Sequence, residues 1–269
     1  MSAGRTSLAN PANLVVAEGI AKAYGRVQAL APLDLTISQG ERVALAGPSG
    51  SGKTTLLYLL AGIVQPDQGT LAIDGRSLAR PGKELASLVG MIHQQYDLVP
   101  HLSVLHNVLA GRLGQWSLLR SMVSLLWPQD RHLAEAALDQ MGIGDKANER
   151  TSHLSGGEMQ RVALARLMVQ GSRIILADEP VSSLDPARAE DVLGLLADLA
   201  ESSGRTLVTS LHSPRLMRKY FSRVIGLREG KLQFDMPAQE LTEEVIRRLY
   251  DLNHGQSHES ETHAPGDTP

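Results

Sequence analysis

GPSGSGKT, residues 47–54, lies between an apolar run, RVALA at 42–46, and a helix-forming run, KTTLLYLLA at 53–61, that Gly62 closes. The stretch fits G-x-x-x-x-G-K-[ST] in full, after an expected strand and before an expected helix, which is the context the motif requires. Gly47, Gly50 and Gly52 let the chain wrap a phosphate with its amides, and Pro48, Ser49 and Ser51 fill the positions between them. Lys53 brings a mobile cation to the β and γ phosphates of a nucleotide; Thr54 offers a hydroxyl to Mg²⁺, and Thr55 follows it into the helix. The plainer reading is a glycine-rich strand-to-helix turn with an exposed lysine, and the flanking elements argue against it.

A nucleotide site also needs a carboxylate at the end of an apolar strand, and RIILADEP at 173–180 supplies one. Asp178 is placed to hold Mg²⁺ through water, since that ion keeps several waters and takes few protein carboxylates. Glu179, the next residue, is placed to orient and deprotonate an attacking water. Taken alone, the two acids would be read as capping the turn that follows; the loop at 47 shifts the balance to a metal and water site. A second anion device stands at LSGGEMQRVALAR, 154–166. Ser155 reads as an N-cap, and Gly156 and Gly157 leave the first helical N–H groups unobstructed, so amides and helix dipole favour an anion there.

The rest of the chain bounds the setting. Its 269 residues are 42% hydrophobic and 20% charged, the balance of a globular protein with a sizeable core. A net charge of −3 gives no global pull toward nucleic acid or anionic lipid, and no nucleic-acid partner is expected. The absence of cysteine excludes disulfides, thiolate metal sites and thiol catalysis. The opening MSAGRTSLANPAN has no apolar core, so no signal peptide is read. No run of about 18 apolar residues offers a membrane span. Short β patterns at LVVAEG (near 14) and LDLTIS (near 33), and a strand and Asp74-Gly75 turn in TLAIDGRSL, precede a mainly helical stretch at 97–150. IILA at 174, a helix near 187–201, a strand in RTLVTSL at 205 and a hairpin around Arg228-Glu229-Gly230-Lys231 follow. Strands alternating with helices predict an α/β fold: a P-loop NTPase core with a mainly parallel sheet, an N-terminal antiparallel β portion and a helical insert.

The order of these motifs resembles that of the ABC-type ATPases, from about residue 14 to 236, with LSGGEMQ at 154–160 as the signature and SSLD at 182–185 as the D-loop. The resemblance implies ATP and Mg²⁺ as cofactors and a head-to-tail homodimer, in which Ser155, Gly156 and Gly157 of one copy close over the γ-phosphate held by the other copy's loop. It places Tyr24, in IAKAYG, as the aromatic that stacks on adenine, with a half-buried strand tyrosine as the alternative. Gln94, in MIHQQYDLVP, matches the glutamine that reaches Mg²⁺ and the attacking water, with Gln95 as the alternative register. His212, in TSLHSP, resembles the switch histidine that contacts the γ-phosphate. Asp185 would contact the partner near its phosphate loop, and also suits an N-cap before Pro186. The implied organisation is a leader at 1–12, a RecA-like core at 13–96 and 159–250, a helical signature subdomain at 97–158, and a disordered tail at 251–269.

The long insert and QQYDLV also resemble the ATPases of phosphonate and phosphite-type importers, although Glu158-Met159 departs from the Gln-Gln expected there. That likeness implies two integral membrane permease subunits, indirectly a solute-binding protein, and a peripheral position on the cytoplasmic face of the inner membrane. A cassette acting as a regulatory clamp on a membrane complex, or driving an exporter, is the alternative. A DNA-repair ATPase is set aside because only a modest insert separates Lys53 from Asp178.

Within GRLGQWSLLRSMVSLLW, 111–127, the residues Trp116, Leu119, Met122, Val123 and Leu126 share one helical face. The leading expectation is a helix packed on the insert's own core; a wall for a membrane subunit and an interfacial helix are the alternatives. His254, His258 and His263 in the tail have no spacing that makes a metal face.

Overall fold

The computed structural model describes residues 13–77, 87–93, 97–182 and 184–251. The leader at 1–12, the tail from 252 onward, and Gln94 and Gln95 lie outside the described residues. The first half of the chain gives β1 (Asn13–Tyr24), β2 (Val27–Ser38), β3 (Arg42–Ala46), α1 (Lys53–Leu60), β4 (Gln68–Ile73), β5 (Arg76–Ser77) and β6 (Val89–Ile92). The insert carries α2 (Val104–Leu109), α3 (Leu118–Leu126) and α4 (Arg131–Gln140), and α5 (Gly156–Gln170) leads back into the core. The chain continues through β7 (Ile174–Ala177), α6 (Pro186–Ser202), β8 (Thr206–Ser210), α7 (Pro214–Tyr220), β9 (Arg223–Arg228), β10 (Lys231–Pro237) and α8 (Glu243–Tyr250).

Two sheets result. A 4-stranded antiparallel sheet runs β2-β1-β4-β5, and a 6-stranded sheet runs β10-β9-β3-β8-β7-β6, parallel except for the β9–β10 hairpin. The parallel strands are short and apolar because both of their faces are covered. Side chains alternate across a strand, so β3 sends Val43 and Leu45 to the side of α1 and the small sheet. It sends Ala44 and Ala46 to the side of α5 and α6. In the same way β7 divides into Ile174 and Leu176 on one face and Ile175 and Ala177 on the other. Helix α5 comes so close to β6 that a Cβ on Gly90 would stand 2.6 Å from a Leu167 methyl carbon.

The insert is tied down by one buried carboxamide. Asn107 on α2 donates to the carbonyls of Val99 and Ser103, each at 3.1 Å, and accepts from the Val99 N–H at 2.7 Å. The Thr151 hydroxyl donates to the same Val99 carbonyl at 2.8 Å. Helix α3 departs from the leading expectation. Trp116 precedes the helix and is buried, and Leu118 (80%), Leu126 (78%) and Trp127 (72%) are exposed, as are Leu119, Met122 and Val123. The buried side carries serine instead: Ser124 is buried, and its hydroxyl accepts from the Gln129 N–H at 3.1 Å. Arg120 lies over the Trp116 ring and pairs with Asp130 at 3.0 Å, so the polar side of the helix is occupied within the insert. Leu119, Met122, Val123 and Leu126 do share an apolar face, but it points away from the insert's core, and Trp116, assigned to the same face from its spacing, packs into that core instead.

Among the described residues no helix is long and apolar enough to cross a membrane.

Candidate functional site

The parallel strands all deliver their carboxyl ends to one edge of the sheet, where α/β folds place ligands. Strand β3 delivers the phosphate loop and β7 delivers Asp178 and Glu179; β8 lies between them and delivers Ser210 and His212. One intervening strand separates loop and acids by about 10 Å, two strand spacings.

Glycine is required in the loop for two reasons at once. Gly47 takes φ 151° and Gly52 φ 103°, both in the region that side chains avoid. A Cβ at Gly47 would also stand 2.1 Å from the Leu227 carbonyl oxygen, and one at Gly52 2.6 Å from that of Ala29. The turn of the β9–β10 hairpin straps the loop from outside: the Gly230 N–H donates to the Ser51 carbonyl at 3.1 Å, and its own carbonyl accepts from Ala31 at 2.7 Å. Lys53 is buried, and its Nζ donates to the carbonyls of Gly47 (2.8 Å) and Pro48 (2.9 Å). Burial pulls this ammonium below the usual lysine value, and the charges of Glu179 and then Asp178 oppose the shift. The cation and both acids therefore share one electrostatic environment.

Ser210 organises the acids. Its hydroxyl donates to Asp178 Oδ1 at 2.8 Å and accepts from the Glu179 N–H at 2.7 Å. Glu179 sits at φ 46°, a left-handed conformation that costs a non-glycine residue on the order of 1 kcal/mol and recurs at functional sites. Its carboxylate meets His212 Nε2 at 2.8 Å. The other ring nitrogen, Nδ1, is 3.4 Å from the Tyr250 hydroxyl, which accepts from the Gly47 N–H at 3.2 Å. Sequence reasoning missed Ser210 and Tyr250. Ser210 stands two residues before His212 at the end of an anticipated strand, which is a usable signal. Tyr250 gives none, because it arrives from a helix that was not anticipated.

Tyr24, half exposed, lines a cavity of about 450 Å³ with Val27, Ala29, Lys53, Thr54 and Thr55. The sequence-predicted aromatic and the phosphate loop thus border one space, and Lys22 lies over the Tyr24 ring at 5.7 Å. Thr54 and Asp178 are hard oxygen donors, and so few protein oxygens suit Mg²⁺, which keeps most of its waters and binds phosphate oxygens.

Ser155, Gly156 and Gly157 are exposed and do not line that cavity. Ser155 caps α5 through a full capping box: its hydroxyl accepts from the Glu158 N–H at 3.4 Å, and Glu158 Oε2 accepts from the Ser155 N–H at 2.8 Å. These bonds hold the Glu158 carboxyl below its ordinary value. The departure at 158 therefore has a structural use, since glutamate serves the box as the third helical residue. Asp185 is the N-cap of α6, accepting from the Arg188 N–H at 3.1 Å, as its position before Pro186 suggested.

A profile of ABC transporter proteins matches residues 30–182. The phosphonates import ATP-binding protein PhnC of Anaeromyxobacter dehalogenans is 46% identical over 91% of this chain, which spans 50% of that relative's length. PhnC of Pseudomonas putida is 44% identical over 86% of this chain and 88% of its own. Among solved structures, the ATP-binding cassette MJ0796, a dimer in a post-hydrolysis state bound to ADP and Pi, superposes with a TM-score of 0.69. It is 30% identical and covers 84% of this chain and 100% of its own. The span matched to the profile contains both the phosphate loop and the paired acids, and the chain belongs to the ABC transporter family, as one of its ATP-binding cassette ATPases.

Proposed function

We propose that this chain drives an importer for a small oxyanion of the phosphonate or phosphite type. The observation that supports this substrate class is the likeness to two phosphonate-import ATP-binding proteins at 46% and 44% identity. No residue of this chain reads the solute; a solute-binding protein and two membrane permease subunits do so. The chain works peripherally, on the cytoplasmic face of the membrane that holds them. The exposed leucines of α3 and Trp127 just after it support a contact with those subunits, because an apolar face of that breadth favours a partner over water.

In this reading the backbone amides of residues 49–54 and the Lys53 ammonium hold the β and γ phosphates, and Tyr24 stacks on the base. Thr54, Asp178 and Gln94 hold Mg²⁺, which neutralises phosphate charge when bound. Glu179 takes the proton from the attacking water, and His212 steadies that carboxylate and faces the γ-phosphate. Ser155, Gly156 and Gly157 come from a second copy, and Asp185 meets the partner's loop. The exposed signature and the dimeric relative support that pairing. A γ-phosphate touched by both copies gives ATP its preference for the closed dimer, and hydrolysis removes it.

The test is growth of the source organism with a phosphonate as sole phosphorus supply. A strain carrying Lys53→Ala in place of this chain is expected to stop taking up labelled phosphonate while inorganic phosphate uptake continues. Unchanged phosphonate uptake would overturn the substrate reading.

A further inference from the structure

Helix α8 ends inside the site already described. Its Leu249 is buried in the larger core, and Arg228 on β9 donates to the Arg248 carbonyl at 3.2 Å. Arg218 on α7 donates to the Leu241 carbonyl at 2.8 Å and meets Glu243 at 2.9 Å. Thus anchored, the helix presents Tyr250 at the point where loop and switch converge. The Gly47 N–H donates to the Tyr250 oxygen at 3.2 Å, and the same oxygen is 3.4 Å from His212 Nδ1. The two rings meet edge to face, with centroids 6.4 Å apart. On the far side of the imidazole, Nε2 is 2.8 Å from Glu179 Oε1.

Donor counting fixes the two ends of this chain of contacts. A backbone amide can only donate, so the Tyr250 oxygen accepts at Gly47 and keeps its own proton to give. A carboxylate can only accept, so the imidazole donates to Glu179 from Nε2. A neutral imidazole satisfies both ends, with Nδ1 accepting from Tyr250 and Nε2 carrying the proton. Burial pushes the Tyr250 phenol above its ordinary value, the Gly47 amide opposes this, and the Glu179 charge adds to it, which keeps the hydroxyl proton in place.

We propose that Tyr250 is a positioning residue for hydrolysis: its hydroxyl holds His212 as the Nε2–H tautomer against Glu179 and ties both to the first residue of the phosphate loop. This rests on the reading of Glu179 and His212 as hydrolytic residues. It makes α8 part of the catalytic apparatus, although its sequence carries no nucleotide-binding motif. Orienting groups behind a catalytic imidazole set its tautomer in other chemistries by the same logic.

The experiment uses the full chain and Tyr250→Phe, which keeps the ring and its packing and removes only the hydroxyl. ATP turnover is expected to fall about tenfold in kcat, the lower end for an orienting hydrogen bond, with KM for ATP within about twofold. Nitrogen-15 spectra of the His212 ring are expected to show a protonated Nε2 and a bare Nδ1 in the native chain, and a tautomer mixture in the variant. In a His212→Ala background, Tyr250→Phe is expected to add no further loss of kcat, since the two act through one contact. A variant with native turnover, or with an unchanged imidazole spectrum, overturns the proposal. So does equal, additive damage in both backgrounds, which would mark α8 as packing alone. Glu179→Gln and His212→Ala separate the two failures. If both lose turnover while Tyr250→Phe does not, only the tyrosine's role falls; if both keep full turnover, the reading of the site falls first.

Discussion

At the scale of residues, one hydroxyl holds both acids of the site. Ser210 bridges Asp178 and the backbone of Glu179, so the carboxylate proposed for the metal and the strained residue after it are held by one group. Ser210→Ala leaves the Glu179 N–H without its acceptor and Asp178 without its donor. It is expected to lower kcat by about 10–100-fold, as loss of an orienting contact does, while the Kd for ATP in the absence of Mg²⁺ stays within about threefold. Single-turnover ATPase measurements and nucleotide titration check this; equal loss in both would mean that Ser210 serves binding. The loop and the acids were legible in the sequence because each is a contiguous motif whose chemistry is carried by neighbours. Ser210 and Tyr250 were not, because their meaning comes from strands and helices that converge after folding.

At the scale of elements, α3 shows what periodicity does and does not decide. The spacing of Leu119, Met122, Val123 and Leu126 identified a shared face, but a period cannot say whether anything covers it. The expected core packing fails because the insert is closed beneath by Trp116 and Ser124, with Arg120 and Arg112 both drawn to Asp130. The leucine face is left outside. Replacing Leu119 and Leu126 together by aspartate is expected to leave the ATPase rate of the purified chain unchanged, since neither touches the site. Recovery of the chain with membranes containing the permeases is expected to fall by at least about tenfold, the loss of more than 1.4 kcal/mol of contact. Membrane recovery equal to that of the native chain would free α3 of any docking role. The α/β class, the antiparallel β portion and the hairpin at 228–231 were anticipated from alternating patterns and turn residues. Helix α8 was not, its apolar positions Val245, Ile246 and Leu249 being too few to stand out between charged neighbours.

At the scale of the whole molecule, the phosphate loop and the start of α5 stand in different surroundings. Lys53, Tyr24 and Thr54 border one cavity, and the acids share the electrostatic environment of Lys53. Ser155, Gly156 and Gly157 stand exposed at the start of α5, with their box closed by Glu158. A device that is built, capped and turned to solvent suits a phosphate held by another copy. Two copies related by a twofold axis would each lend the signature that the other lacks. The direct test mixes two full-length variants, Ser155→Arg and Lys53→Ala, each expected to be inactive alone. Mixed in equal amounts, half of the dimers would pair unlike copies, and each of those would contain one intact composite site. Recovery of about a quarter of native ATP turnover is therefore the expected result. A mixture no more active than either variant alone, from chains shown to form mixed dimers, would contradict the composite site.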